Sequence, residues 1–541
     1  DSAYTYDYIY YNQNHPYAAD KGRILDRNRF VMTNTIDLYA NYNRKIGEDF
    51  ELGAMVGHSF LKTRSRTSYI DAQNYPSPAF DVASVAANIV DASAGLSEYA
   101  IESYFARLSL AYKDRYVVNA TIRTDGSSRF APDCRWGWFP SVSVGWNVSN
   151  ESFWNAEKTD LKIRASYGRT GNQDGISNYG WQALISGGVN YGGQSGIAIS
   201  SSGNDRLTWE TADQYNAGFD LSFLGGKINM IADVYLKNTN NLLYSKPVHA
   251  TTGETSILSN IGSMRNKGVE FTINTHLNLG KVLWSSSFNI ARNVNKLTSL
   301  LEDDLLSIGA NRALKLGRTV GSWYIFRTDG IYQYDGEVPQ ALYDKGVRAG
   351  DVKYWDRNGD GNITDDDRIV TGNPNPKFSG GWNNTFKYKG LELSLFFTYS
   401  YGNDVYASWM IHGSKPGYTR SLLKAYADNR WTGPGTSDKY PRAIYSYSGW
   451  NGKNSTMYLT DGSFIRLRSV TLGYTFPQRL VSKIHLKGLR VYAQGDNVFL
   501  CSRYPGWDPE TSVNLDPRFY GEDNDGVPQP RIFKLGVNIT F

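Results

Sequence analysis

The sequence predicts an all-β protein whose antiparallel strands cross a membrane as part of a β-barrel wall. Three observations predict this fold: apolar and polar side chains alternate along most segments, short and long connections alternate between the segments, and aromatic residues gather at segment ends. The chain has 541 residues, of which 14% are aromatic. It is too aromatic and regular for disorder, and too poor in continuous apolar runs for membrane-spanning helices.

The alternation of side chains is clearest in the segment LELSLFFTYSY. Leu391, Leu393, Leu395 and Phe397 share one face of this segment, and Glu392 begins the polar face. The final segment, IFKLGVNITF, alternates in the same way and ends on an aromatic residue. A soluble β-sandwich would alternate as well, so the connections have to distinguish the two architectures.

Short and long connections follow one another along the chain. Short turns are predicted at 45–51, 112–116, 224–227, 279–281 and 388–391, and long connections at about 65–98, 171–206, 298–375, 406–460 and 500–529. Strict alternation places all short turns at one end of the sheet, as in an outer-membrane barrel with short periplasmic turns and long extracellular loops. Counting between the turns gives about 15 strands, each long enough to cross a bilayer at a tilt. Two further short-side connections, 148–160 and 477–488, predict small helical turns.

Aromatic rings next to the short turns predict anchors at the membrane surface. These rings are Tyr112, Tyr116, Tyr388, Tyr474 and Phe476. One segment, FIRLRSVTLGYTF, changes its apolar phase between Leu467 and Val470. This change predicts a β-bulge or a strand end above the membrane.

The segment DRNGDGNITDDD, residues 356–367, has the ligand order of a calcium loop. Its side chains with oxygen atoms fall at odd positions, and Gly361 permits the sharp turn that such loops need. The predicted ligands of Ca²⁺ are Asp356, Asn358, Asp360, Asn362, Thr364 and Asp367. Asn362 would offer its backbone carbonyl, and Thr364 a contact through water.

The closing ligand of this loop is Asp367, where calcium loops usually have Glu, so a tighter or differently wrapped loop is expected. A solvated acidic turn is the alternative interpretation. The flanking segments carry turn and strand patterns and lack amphipathic helices, which a calcium sensor needs. We therefore predict that residues 350–376 form an extracellular loop that a structural Ca²⁺ braces.

Catalysis and nucleic-acid binding have little support in the sequence. The six histidines are isolated from one another, and neither an HExxH, a GxSxG nor a P-loop motif occurs. A net charge of +5 is small for this length, and the charges are interspersed, so no nucleic-acid surface is expected. Cys134 and Cys501 fall near widely separated strands, which favours two free thiols. We expect a protein that is not an enzyme.

The long loops are rich in aromatic rings at 178–193, 445–450 and 503–510. Flat rings next to amides and carboxylates suit contacts with sugars, and they equally suit peptides or a partner protein. Trp181, Trp450 and Trp507 are therefore candidates for substrate or partner contact. Packing within the loops is the alternative for each.

Four segments resemble the carboxy-terminal barrel of SusC/RagA-type, TonB-dependent outer-membrane transporters of Bacteroidetes. They are residues 125–154, residues 350–406, residues 461–476 and the terminal PRIFKLGVNITF. The resemblance implies a barrel of about 22 strands, an internal plug, and a SusD-like surface lipoprotein that covers the extracellular mouth like a lid. It also implies that TonB acts through the plug-bearing portion and that the protein lies in the outer membrane of a Gram-negative bacterium.

Residues 1–541 then correspond to the carboxy-terminal portion of such a barrel. No plug, Ton box or signal peptide is recognised at the amino terminus, so a processed or truncated chain is expected. About 15 strands cannot close a barrel of about 22, and open strand edges in lipid are unfavourable, so a companion amino-terminal fragment is expected. The implied function is active import of oligosaccharides or peptides. A passive porin and a calcium-dependent surface adhesin or other β protein are the alternatives.

Overall fold

Strands dominate the computed structural model. It describes residues 2–9, 22–77, 79–155, 158–249, 251, 254, 256–300, 304–413, 421–444, 449–514 and 516–541. The predicted aromatic segment 445–450 therefore lies partly outside the described residues. No helix in the described ranges is long and apolar enough to cross a membrane.

Within the described residues, the first half of the chain contains fifteen strands. They are β1 (Ser2–Ile9), β2 (Arg23–Ile46), β3 (Phe50–Gln73), β4 (Asn88–Tyr112), β5 (Tyr116–Ser127), β6 (Trp136–Asn147), β7 (Thr159–Asn172), β8 (Leu184–Tyr191), β9 (Gln194–Ser201), β10 (Glu210–Phe223), β11 (Ile228–Asn240), β12 (Leu243–Pro247), β13 (Ser256–Asn260), β14 (Ser263–Leu279) and β15 (Val282–Ser299).

The described part of the second half adds shorter strands and four short helices. The strands are β16 (Leu305–Ile308), β17 (Arg312–Lys315), β18 (Trp323–Phe326), β19 (Thr328–Ile331), β20 (Val352–Tyr354), β21 (Arg368–Thr371), β22 (Phe378–Tyr388), β23 (Leu391–Tyr401), β24 (Asp404–Ala407), β25 (Leu459–Asp461), β26 (Phe464–Thr475), β27 (Gly488–Ser502), β28 (Glu522–Asp523) and β29 (Ile532–Thr540). The helices are α1 (Gln340–Tyr343), α2 (Trp409–Gly413), α3 (Lys424–Asn429) and α4 (Gln478–Val481).

Sixteen of the described strands form one large sheet, where about 15 were predicted. Its strand order is β1-β2-β3-β4-β5-β6-β7-β10-β11-β14-β15-β22-β23-β26-β27-β29. The five predicted short turns join β2 to β3, β4 to β5, β10 to β11, β14 to β15 and β22 to β23. The two predicted helical turns are also present, as a 3₁₀ turn at Val148–Asn150 and as α4 with the 3₁₀ turn at Ser482–Ile484.

One predicted long connection is shorter than expected. The segment 65–98 is largely strand, because β3 continues to Gln73 and β4 begins at Asn88, with Thr67 paired to Gly95. Most side chains of this extension are exposed or half-buried on both faces. Because neither face of this extension is buried, its apolar and polar residues do not alternate. The sequence therefore gave no pattern from which the strand could be predicted.

The predicted change of apolar phase in β26 is a β-bulge. Leu467 pairs with Phe397 and Ser469 pairs with Phe396, so Arg468 has no partner in β23. The same irregularity separates Leu467 from Ser469 in their pairing with β27. An extra residue at this point moves the apolar side chains to the opposite parity, which is the shift that the sequence displayed.

The rings at the short turns lie where the sequence placed them. Tyr112 stacks on Tyr116 with ring centres 6.4 Å apart, and it contacts Phe50 across the neighbouring turn at 4.5 Å. Tyr474 meets Phe476 edge to face at 4.9 Å. These clusters close the short-turn end of the wall with aromatic side chains.

The chain divides into two compact units. The first comprises residues 1–144, 166–213 and 239–261, and the second comprises residues 145–165, 214–238 and 262–541. The first unit has a core of Phe130, Phe139, Ile176, Leu207 and Trp209 beneath its loops. The second unit has a larger loop core, described next.

Candidate functional site

Three long connections of the second unit fold together at the ends of its wall strands. We call the described residues within 304–376, 402–463 and 503–531 the loop assembly. Strand β28 from the third connection pairs in parallel with β24 from the second, and Phe326 from the first bridges to Ser455. Backbone pairing therefore joins all three connections, which restricts their independent motion.

A hydrophobic core supports the loop assembly. Trp323, Tyr406 and Tyr458 are almost fully buried within it, together with Ile325 and Tyr504. Tyr406 meets Tyr458 edge to face at 6.2 Å. The Tyr504 hydroxyl donates to a carboxylate oxygen of Asp523 and accepts from the Trp409 ring nitrogen, and burial raises the pKa of Tyr504 well above its usual value. Such buried rings give long loops a core of their own.

Arg312 holds two connections together from inside the assembly. Its side chain is fully buried, and its guanidinium donates to the carbonyls of Gly321, Phe519 and Tyr520. The same group lies over the Trp323 ring, 4.1 Å from its centre. Burial lowers the pKa of Arg312 to about 10. Carbonyl dipoles and a ring face therefore replace the water that this cation has lost.

Asp351 is a second buried link between the first and second connections. Its carboxylate accepts two hydrogen bonds from the Arg442 guanidinium, at 2.8 and 3.0 Å, and one from the Asn451 amide at 3.0 Å. The backbone N–H of Arg348 donates a fourth at 2.9 Å. Hydrogen bonding to Asp351 raises the pKa of Arg442. Four donors on one buried carboxylate fix the relative positions of these segments.

The predicted calcium loop lies in the loop assembly between β20 and β21. The Asp356 carboxylate accepts the N–H groups of Gly359 and Gly361, at 2.7 and 2.8 Å. Gly361 has a φ of +77°, the turn that its place in the loop requires. Asp360 accepts the N–H of Asn362 at 2.7 Å. Asp356 and Asp360 are thus held by backbone N–H groups within one tight turn.

The closing residue of this loop, Asp367, is fully buried. Its two carboxylate oxygens accept the N–H groups of Arg357 and Thr364, both at 2.8 Å. The Lys345 ammonium donates to the Asn362 side-chain oxygen at 2.7 Å. Among the described residues, no group of three or more His, Cys, Asp or Glu side chains is placed to hold a metal ion. An ion at this turn would need amide and carbonyl oxygens beside the carboxylates, which is the mixture that Ca²⁺ accepts.

The three candidate tryptophans have different surroundings. Trp450 packs edge to face on Tyr354 at 5.4 Å and donates its ring N–H to the Val352 carbonyl at 2.9 Å. Trp181, in the first unit, donates to the Ser128 carbonyl at 3.3 Å. Trp507 is 80% exposed. Of the three, Trp507 offers the largest free ring face for a ligand or partner.

The two cysteines are free, as predicted; Cys134 is half-buried and Cys501 is exposed.

Two of the histidines contact single polar side chains. His58 lies 3.2 Å from Glu102, and His276 lies 3.1 Å from Ser285. Neither contact brings a nucleophile and a second acid together in the way that a catalytic triad requires.

Sequence reasoning missed the charged links that hold the loops. Asp351 and Arg442 are 91 residues apart, and Arg466 contacts Asp508 at 2.5 Å across 42 residues, with both side chains almost fully buried. Of these residues, only Arg466 could have been recognised from the sequence as needing a buried partner, because it is a cation in a predicted apolar strand segment. The partner of such a cation depends on the fold of a distant loop, which one sequence does not encode in any local pattern.

Comparisons with known proteins agree with this architecture. The sequence profile of the family described as "TonB dependent receptor-like, beta-barrel" matches residues 1–498. The chain is 33% identical over 525 residues to TonB-dependent receptor P26 of Formosa agariphila, covering 92% of this chain and 52% of that protein. It is 29% identical over 531 residues to TonB-dependent receptor SusC of Bacteroides thetaiotaomicron, covering 93% of this chain and 50% of SusC.

Solved structures show the same fold. The structure described as the RagAB peptide transporter superposes with a TM-score of 0.83 at 22% identity, covering 96% of this chain and 56% of that one. RagAB in its "closed-closed" state gives 0.83 at 24% identity, covering 98% of this chain and 58% of that one. The chain spans about half the length of the curated relatives that it matches.

The sheet, its alternating turns and loops, and the profile match define an outer-membrane β-barrel of the transporter and receptor class. The chain belongs to the TonB-dependent receptor β-barrel family, and its relatives include SusC. This is a family of transporters and receptors, not a family of enzymes.

Proposed function

We propose that this chain supplies barrel wall and extracellular rim to an active, TonB-dependent importer of oligosaccharides or peptides. The observation that carries the proposal is the loop assembly, in which three long connections share a core and are joined by β24, β28 and the bridge from Phe326 to Ser455. An occluded binding site needs a rim that holds its shape when a lid closes on it. A rim that is already ordered avoids an entropic cost on the order of 1–2 kcal/mol per residue.

The remainder of the importer comes from other polypeptide segments. Within the described residues, β1 pairs only with β2 and β29 pairs only with β27. Unpaired strand edges are costly in lipid, so a companion amino-terminal segment completes the barrel and carries the plug on which TonB acts. A SusD-like lipoprotein docks on the rim and delivers substrate. The chain itself carries no catalytic step.

Affinity purification and uptake assays test this proposal. A tag on this chain should retain a surface lipoprotein and a plug-bearing segment from outer membranes. Uptake of labelled oligosaccharides or peptides should stop when TonB is deleted. Uptake that continues at the same rate without TonB would identify a passive porin instead, and recovery of a folded protein containing this chain alone would remove the companion segment from the proposal.

A structural Ca²⁺ in the 356–367 loop is a second part of the proposal. The carboxylates of Asp356 and Asp360 support this proposal. Each accepts hydrogen bonds from backbone N–H groups and still has oxygen lone pairs that could bind a metal ion. The backbone carbonyl of Asn362 would be a further ligand, leaving its side chain to Lys345. Bound Ca²⁺ would neutralise the clustered carboxylates and brace the loop.

Metal titration of the purified protein tests the calcium proposal. Terbium luminescence, competed by Ca²⁺, should report the site in the parent protein and should be lost in the D356A/D360A variant. The D366N variant is the matched control, because Asp366 is exposed in the same loop and is not a predicted ligand. Equal luminescence in all three proteins would exclude the site, and an unchanged fold of the barrel should accompany each variant.

A further inference from the structure

The membrane-facing surface of the β14–β15 hairpin ends in a group of cations. On β14, Val269, Phe271 and Ile273 lie on one face, while Glu270 and Thr272 lie on the other. Four exposed cations lie on the same side as Phe271 and farther from the short turn: Arg265, Lys267, Arg292 and Lys296. We call these four residues the cation patch.

Their height on the barrel follows from strand geometry. Arg292 lies ten residues beyond Val282, and Arg265 lies fourteen residues from Leu279, both counted from the short turn of this hairpin. A rise of about 3.3 Å per residue and a tilt of about 45° place these positions about 23 and 33 Å above the turn. The apolar band of such a barrel is about 25 Å tall, so the patch extends from the upper edge of this band into the head groups of the outer leaflet.

The patch is electrostatically incomplete within the described residues. Arg265 and Lys296 are direct cross-strand partners, and like charges in that position destabilise a sheet. Within the described residues, two of these cations have neutral partners: Arg265 donates to the Asn238 side-chain oxygen at 2.8 Å, and Arg292 lies over the Phe378 ring at 5.6 Å. An anion between the two strands would relieve this repulsion.

The first unit has an equivalent arrangement in its own β2–β3 hairpin. Lys62 and Arg64 lie twelve and fourteen residues beyond Phe50, on the membrane-facing side. Here Glu98 partly neutralises them, at 3.5 and 3.3 Å. Cations therefore recur at a similar distance from two different short turns.

We propose that the cation patch binds the phosphate groups of phosphorylated glycolipid in the outer leaflet. The occupant has to be anionic, lie at the head-group level and present apolar chains below its charge. Val269 is 50% exposed and pairs with Arg292, so an acyl chain can contact apolar wall directly beneath the cations. A second copy of this chain fits less well, because a twofold contact would bring like charges together. The proposal rests on membrane location and not on import.

The test compares two charge-matched variants of the protein isolated from outer membranes. R265Q/K267Q/R292Q/K296Q removes the patch, and K227Q/K281Q/K389Q/K483Q removes four exposed lysines from the short-turn end. Native mass spectrometry counts phosphorylated glycolipid bound to each. Since one cation at an anionic surface contributes about fivefold in affinity, loss of two or more contacts should lower binding about 25-fold or more. The control should bind like the parent.

A second arm identifies the chemical group. Delipidated protein is placed in nanodiscs with bisphosphorylated glycolipid or with the same glycolipid after phosphate removal, and retention through detergent washing is measured. Retention of the phosphorylated form alone supports the proposal. Equal retention of both forms, or equal binding by the patch variant and the control, would overturn it. A patch variant that loses self-association while keeping its lipid would also overturn it, in favour of a protein interface.

Discussion

Replacing Asp351 with Ala should destabilise the loop assembly while leaving the barrel wall folded. The substitution removes four hydrogen bonds to a carboxylate that is 2% exposed. Breaking a fully buried ion pair costs about 3–5 kcal/mol. The Arg442 side chain is 31% exposed and can recover some hydration, so we expect a local loss of about 2–3 kcal/mol.

Hydrogen exchange measured by mass spectrometry reports this loss directly. A decrease of about 2–3 kcal/mol in local opening free energy should speed exchange roughly 30- to 150-fold in peptides covering 328–354 and 430–444. Peptides from β14 and β15 should not change. The D428A variant is the control, since Asp428 makes an exposed pair with Lys424 and should contribute less than about 0.5 kcal/mol. Exchange in D351A that equals the parent, or that rises equally in the wall, would refute the reasoning.

Four further substitutions should separate structural from surface roles in the loop assembly. Burial raises the pKa of Tyr426 to about 12. The protonated hydroxyl therefore contributes fully to loop stability below about pH 10, and this contribution is lost as the pH rises through 12. Over that range, proteolysis of the loop should increase less in Y426F than in the parent protein. W450A should increase neutral-pH loop proteolysis, because Trp450 packs on Tyr354, whereas W507A should leave it unchanged and weaken only ligand or partner binding. G350A should lower the unfolding free energy of the loop by more than about 2 kcal/mol, because Gly350 has a φ of +88° and an added Cβ would lie 2.5 Å from a tryptophan ring. An unchanged melting temperature would contradict this.

The wall was predictable because each strand carries its own period. Leu391 to Phe397 alternate with polar residues since one face meets lipid, and even the bulge at Arg468 was visible as a change of parity. Where both faces meet water, as in the extension of β3 to Gln73, the period disappears and the strand was missed. The order of oxygen-bearing side chains in 356–367 is likewise a local pattern, and the calcium site that it predicts stays a proposal.

The loop assembly was not predictable, because its links join residues that are distant in the chain. The donors on Asp351 come from Arg348, three residues away, and from Arg442 and Asn451, about a hundred residues away. Nothing in the vicinity of Asp351 distinguishes it from a solvated loop acid. Its chain neighbours Val347, Val352 and Tyr354 lie in two apolar clusters of the loop assembly, whose members follow no helix or strand period.

The way in which the loops are joined has a consequence for the proposed import cycle. Arg312 links the first connection to the third, and Asp351 links the first to the second. A force on any one connection is therefore carried to the other two through buried polar contacts, which tolerate little displacement. A lid that docks on one part of the assembly consequently meets a single preordered surface. Such a surface favours a defined closed state over the independent loop motions that a passive pore tolerates, and it explains why the loops have a hydrophobic core at all.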